Sequence, residues 1–158
     1  VDLGLSIVTL VAVGGITFAF GALMDAFGVV DALRALFEPV GPAVLEPPRM
    51  FDASHGAAMA ANWILVLCYW LALAALEEVV FRSYLLPRLA TLLHSRLRST
   101  LVSTALFASY HVYQGAWAVP SVFVTGLALA AAFWLTRRLW PLVLAHGVYN
   151  LILLSSAP

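Results

Sequence analysis

The sequence predicts an all-α, polytopic transmembrane bundle of about five helices with a polar pocket inside the membrane. Three observations carry the prediction. Of 158 residues, 63% are hydrophobic and 10% charged, against roughly 45–50% and about 25% in a soluble domain; the mean hydropathy is +0.99. The apolar residues fall in helix-length runs, without the alternation of a membrane barrel. Finally, the few charges inside those runs gather in short constellations, where an ionisable group is costly and by default marks a working site.

Leu3 to Met24 is long enough to span, since roughly 20 residues cross the hydrocarbon core, and it lacks the basic start and small-residue cleavage site of a signal peptide. It reads as a retained helix, in which Gly14-Gly15 serves close packing in preference to a hinge. The first residue is Val, which suits a processed or truncated segment of a longer chain. From Ala26 to Ser54 the character changes: Asp25, Asp31, Arg34, Glu38, Glu46, Arg49 and Asp52 lie among Pro39, Pro42, Pro47 and Pro48, the pattern of an extramembrane connection. Within it, Val29, Val30, Leu33, Leu36 and Phe37 recur at helical spacing, as in a short helix on the membrane surface.

Ala57 opens a second apolar run, expected to continue as helix through Glu77 and Glu78 toward Leu86 and to end at Pro87. A basic connection with Arg88, His94, Arg96 and Arg98 follows. Ser99 is expected to cap a helix to about Tyr113, Val119 to Leu135 forms the next, and Arg137-Arg138 separates it from the last, Leu139 to Ser155. The chain thus divides into residues 1–56, a membrane helix plus connection, and residues 57–158, a four-helix core. If the helices alternate, Arg88, Arg96, Arg98, Arg137 and Arg138 share one side, which the positive-inside rule makes cytoplasmic together with the N-terminus.

The formal net charge is zero and all eight basic residues are arginine, with no basic segment that would track phosphates, so nucleic acid is not an expected partner. The lipid bilayer is. Cys68, the single cysteine, allows neither an intramolecular disulfide nor a CxxC metal site.

Three constellations interrupt the apolar helices. In Glu77-Glu78-Val79-Val80-Phe81-Arg82, Glu78 and Arg82 are four apart and meet on one helix face, while Glu77 points about 100° away. The ion pair compensates Glu78 and leaves Glu77 free; a carboxylate in a water-poor site is a better proton acceptor, as a general base acting on water needs to be. The bland alternative is a solvated glutamate pair at a helix end. Phe107-Ala108-Ser109-Tyr110-His111 places an aromatic ring and an imidazole at i,i+4, and a lone histidine there is equally read as a core residue bonded to a carbonyl. In His146-Gly147-Val148-Tyr149-Asn150, His146 and Asn150 share a face and Gly147 leaves room beside them; two such groups also act as glue between helices.

Depth joins the three. At about 1.5 Å per residue, Glu77 lies roughly 16 Å from Arg88, His111 roughly 18 Å from Ser99 and His146 roughly 11 Å from Leu139, all measured from the same predicted side. Glu77, His111, His146 and Asn150 can therefore converge.

EEVVFR, FASYH and HGVYN resemble, in order and spacing, the EExxxR, FxxxH and HxxxN/D signatures of the CAAX protease and bacteriocin-processing (CPBP, or Abi) family of intramembrane endopeptidases, which includes CAAX prenyl protease 2-like proteins. The resemblance covers roughly Ala57 to Ser155. It implies that the pocket is catalytic, that Glu77 activates the attacking water, that His111 holds that water, and that His146 and Asn150 stabilise the oxyanion. Glu78, Arg82 and Phe107 would support the site. No cofactor is needed for this scheme; the alternative is a zinc ion held by Glu77, His111 and His146, although HExxH is absent. The implied substrate is a membrane-associated peptide or protein. An Arg-only basic composition suggests a GC-rich bacterial genome and hence a bacterial inner or plasma membrane, with bacteriocin-type maturation, self-immunity or regulatory cleavage ahead of prenyl-protein processing. Competing classes are a proton or ion path built from the same groups and an immunity or scaffold protein. His55 and His94 are expected in solvated connections, and the five tryptophans at the membrane interface or against lipid.

Overall fold

The computed structural model describes residues 2–37 and 63–156, and every regular element among them is helical. The first helix, α1 (Leu3–Ala26), starts on Asp2, whose carboxylate accepts the Leu5 N–H at 3.2 Å. Its exposed Val8, Val11 and Phe18 form the lipid-facing surface expected of a spanning helix. No bend marks Gly14-Gly15: Gly14 faces the Tyr149 ring, which a Cβ would meet at 3.7 Å, and α1 runs through. Gly28, at φ 64°, turns the chain into α2 (Val29–Phe37), the short helix foreseen from its apolar spacing, with no buried residue. Residues 38–62, including most of the predicted connection, His55 and the beginning of the Ala57 run, lie outside the described residues.

The helix carrying the acidic pair is a composite. It runs as α3 (Trp63–Glu78), widens to a π-helical segment over Val79–Leu85, and resumes as α4 (Leu86–Leu93). Pro87 therefore does not end it, contrary to expectation. Proline lacks the amide hydrogen and its ring clashes with the carbonyl four residues back; here it stands in the first turn of α4, where neither penalty applies, because the preceding π segment has already changed the hydrogen-bond register. The true end is His94, a left-handed cap at φ 50°.

The helix α5 (Arg96–Tyr110) starts earlier than predicted. Ser95, not Ser99, is the cap and accepts the Arg98 N–H at 3.3 Å, whereas Ser99 is fully buried and bonds back to the Arg96 carbonyl at 2.8 Å. Two 3-10 turns, His111–Gln114 and Ala116–Ala118, lead to α6 (Val119–Thr136), and Arg137 caps that helix at φ 52° before α7 (Trp140–Ser156).

The five rods of the expected bundle are α1, the α3–α4 composite, α5, α6 and α7. Three of them, Leu3–Ala26, Ile64–Leu93 and Val119–Thr136, are long and apolar enough to cross a membrane, while the apolar run of α7 is shorter, Trp140–Leu153. Thus the protein is an all-helical membrane protein. Helix α7 packs on α3 and α1, α6 on α1 and α5, and α4 on α5. Val13, Leu86, Leu129, Ala130, Phe133 and Leu142 form an apolar core joining α1, α4, α6 and α7. Beside it, the Thr17 and Thr125 hydroxyls meet at 2.9 Å, a polar clasp that ties α1 to α6. At one end of the bundle Arg138 reaches Asp2 at 3.3 Å, which puts the start of α1 beside the arginine-rich connections. An exposed pair of this kind adds little stability; it marks the end.

Candidate active site

Glu77 and Glu78 are the last two α-helical residues before the π segment. Glu78 is fully buried and Arg82 is 2% exposed, with Arg82 Nη1 at 3.1 Å from Glu78 Oε1. This is the ion pair the spacing predicts. The contact is electrostatic: Nη1 lies close to the oxygen without forming a hydrogen bond. The other arm, Nη2, donates to the Gly126 carbonyl at 3.4 Å, and the guanidinium carbon stands 4.2 Å above the Phe107 ring. An arginine removed from water needs such a set of partners, because an uncompensated buried charge costs several kcal/mol.

Phe107 is the hub. It is 1% exposed, stacks beneath Arg82, packs on His111 at 4.5 Å between centroids and meets His146 edge-on at 6.1 Å. Gly126 makes room for this assembly: a Cβ there would lie 2.9 Å from Thr104 Cγ2 and 3.0 Å from Phe107 Cδ1. Only a glycine lets the α6 backbone come close enough to offer its carbonyl to Arg82.

The two imidazoles are fixed through Nδ1. His111 begins the 3-10 turn after α5, and its Nδ1 lies 2.8 Å from the Phe107 carbonyl. A carbonyl only accepts, so Nδ1 carries the hydrogen. On α7, His146 Nδ1 lies 2.8 Å from Glu78 Oε1, and by the same reasoning donates to it. Both rings then present Nε2 to Glu77: His111 Nε2 is 3.7 Å from Oε1 and His146 Nε2 is 3.6 Å from Oε2. These are longer than hydrogen bonds. Glu77 Oε2 is buried without a hydrogen-bond partner among the described residues.

Glu77, His111 and His146 thus come together from three different helical segments. Asn150 is one turn beyond His146 on α7, half-buried, and makes no hydrogen bond to Glu77 or either histidine among the described residues. The two acids are less cleanly divided than their helical spacing predicts. Glu78 does pair with Arg82, but it also holds His146, so His146 bridges both carboxylates. Gly147 also departs from expectation. The space it provides is taken by α3, whose Leu71 Cα and Trp70 carbonyl would stand 3.2 and 3.4 Å from a Cβ; the glycine seats α7 against α3 instead of leaving room next to the polar groups.

A zinc site would need three ligand atoms converging on one point. Here the histidines address opposite oxygens of Glu77, and among the described residues no group of three His, Cys, Asp or Glu side chains is disposed to hold a metal ion.

Several contributors escaped the sequence. Tyr113 stacks on His111 at 5.9 Å and Tyr110 meets it edge-on at 5.2 Å, and Ser103 donates to the Phe81 carbonyl at 3.1 Å inside the π segment. The available signals are the aromatic residues flanking His111 and the single glycine in the α6 run, neither of which identifies a partner.

Compared with known proteins, residues 59–152 match a family model described as Rce1-like, type II CAAX prenyl endopeptidase Rce1-like. The match spans more than half of the chain and every residue of the cluster. No curated protein and no solved structure matches.

Proposed function

Because the chain belongs to the Rce1-like family of type II CAAX prenyl endopeptidases, and so is a protease of the membrane, we propose that it cleaves a membrane-associated peptide or protein with a water molecule activated by Glu77. The observation that supports this most is the convergence of two imidazole Nε2 atoms on the two oxygens of one buried carboxylate, at 3.7 and 3.6 Å.

Each gap is too long for a direct bond and suits a shared small donor. With Nδ1–H committed to the Phe107 carbonyl, His111 Nε2 is an acceptor. A water between it and Glu77 gives one hydrogen to each, and its oxygen lone pair is left for the scissile carbonyl carbon. On attack, the C–O bond forms as the proton passes to Glu77. Collapse then breaks the C–N bond, and Glu77 returns that proton to the leaving nitrogen, regenerating the carboxylate.

The oxyanion needs donors. His146 gives Nδ1–H to Glu78, so it has a second hydrogen on Nε2 only as imidazolium; a neutral His146 in this tautomer cannot serve. Asn150 supplies an amide N–H without that condition. This arrangement gives Asn150 a larger share of oxyanion stabilisation than a neutral His–Asn pair would. Phe107, Arg82 and Glu78 act as supports through their contacts with the two rings. The surrounding apolar helices exclude bulk water and strengthen each of these interactions.

Seating in a multi-pass arrangement in a bacterial plasma membrane, with the arginine-rich end in the cytoplasm, agrees with the charge distribution. The test is Glu77→Gln in protein reconstituted into liposomes with a fluorescence-quenched membrane peptide. Cleavage should fall to background while helicity is unchanged; cleavage retained above about a tenth of wild type would remove Glu77 from the role of base.

A further inference from the structure

The arginine-rich end of the bundle carries a cavity separate from the catalytic cluster. It has a volume of about 350 Å³, and its lining includes Thr91, His94, Ser95, Arg96, Trp134 and Arg137. We infer that this cavity is a binding site for the phosphate headgroup of an anionic phospholipid.

Charge is the first support. Arg96 and Arg137 both stand over the Trp134 ring, at 5.4 and 4.4 Å, and neither has a carboxylate partner among the described residues. The ring is itself fixed, with its Nε1–H donated to Thr100 at 2.9 Å. Two guanidinium groups are thereby held at one cavity without an acid to neutralise them, the arrangement that favours bidentate recognition of phosphate. The acid described at this end, Asp2, is engaged by Arg138.

Depth is the second. The lining residues straddle the ends of two spans: His94 follows the Ile64–Leu93 run and Arg137 follows Val119–Thr136. The cavity therefore opens at the level where lipid phosphates lie, and its volume is at the lower end for ligand pockets, suited to a small polar headgroup.

Its apolar surroundings are the third. Leu92, Leu97 and Leu135, each next in sequence to a lining residue, are 72%, 69% and 84% exposed. The acyl chains of a phospholipid seated in the cavity would run over these side chains, a contact that a soluble phosphate does not make. The shared chemistry is a phosphate; the leucines assign it to a lipid. The nearest lining residue, Pro87, lies about 15 Å from Glu77 along the α3–α4 composite, so the site is spatially separate from the catalytic cluster.

The experiment is native mass spectrometry of the full chain released from nanodiscs of equal phosphatidylglycerol and phosphatidylcholine. The wild type should retain phosphatidylglycerol at least fivefold over phosphatidylcholine, and Arg96→Gln/Arg137→Gln should lose that preference while Arg98→Gln, outside the cavity, keeps it. Should the double variant not fold, Thr91→Asp, which puts a like charge into the lining, is expected to abolish the preference in the same way. Equal retention of the two lipids, or a preference unchanged in these variants, would overturn the proposal. Inorganic phosphate or an acidic peptide displacing the lipid at millimolar concentration would also overturn it, by making the site one for a soluble anion or for a polypeptide.

Discussion

Gly147→Ala adds one methyl group at the contact between α7 and α3, immediately beside His146. The nearest atom would be Leu71 Cδ2 at 2.8 Å, which can rotate away; the next are Leu71 Cα at 3.2 Å and the Trp70 carbonyl at 3.4 Å, which cannot. Carbon pairs relax at about 3.5–4.0 Å, so the helices must separate locally by about 0.3–0.8 Å. His146 moves with the α7 backbone, and its 2.8 Å bond to Glu78 then stretches to the edge of hydrogen-bonding range or past it. A displacement of about 1 Å at a reacting group costs on the order of 100-fold in rate, so roughly half of that predicts a loss of about 10-fold. Stability should change less, since overpacking costs about 1–3 kcal/mol and alanine recovers about 1 kcal/mol of helix propensity relative to glycine. The assay is kcat/KM for cleavage of a quenched membrane peptide in proteoliposomes, with thermal unfolding in parallel. Gly15→Ala, where a Cβ meets nothing within 4 Å, is the control and should retain full activity. Wild-type kcat/KM in Gly147→Ala would refute the claim that close approach of α7 to α3 positions His146.

Glu78→Leu leaves Arg82 buried without its carboxylate and should lower stability by about 3–5 kcal/mol; adding Arg82→Met should recover most of that in thermal unfolding but not the activity, because His146 still lacks its acceptor. Asn150→Ala should lower kcat about 100–1,000-fold, the usual cost of an oxyanion donor, with little change in unfolding temperature. Cleavage should persist after exhaustive chelation; a loss reversed by added zinc would replace the Glu77-bound water with a metal mechanism.

The helices and the cluster differ in how far the sequence reveals them. Length and apolarity of the runs give the rods directly, because a membrane segment must satisfy its own backbone hydrogen bonds and the helix does so locally. Depth along each run also brings Glu77, His111 and His146 together, since rise per residue is nearly constant. Rotation about each helix axis is less accessible. Glu77 and Glu78 project about 100° apart in an ideal helix, yet His146 lies between them and touches both, because it enters from another helix and has two ring nitrogens. The π segment is similarly hidden. It rests on nonlocal partners, such as Ser103 donating to the Phe81 carbonyl, and an apolar string such as Val79-Val80-Phe81 shows no local preference for it. The cap of α5 is hidden for a related reason: Ser95 and Ser99 are both competent caps, and the burial of Ser99 that decides between them is a tertiary fact.

Two glycines matter more than their size suggests. A membrane bundle gains little from packing one apolar side chain against another, since lipid offers an equivalent surface, so close helix approach relies on small residues and polar contacts. Gly126 lets an α6 carbonyl reach Arg82 and Gly147 lets α7 reach the α3 backbone. The first compensates the buried cation; the second delivers His146 to the acid that the cation balances. Arg82, Glu78 and His146 form one chain of contacts ending at Glu77, and each link depends on an approach that a larger residue at 126 or 147 would obstruct. Charges in the middle of an apolar helix are tolerated here because the neighbouring backbones come close enough to meet them.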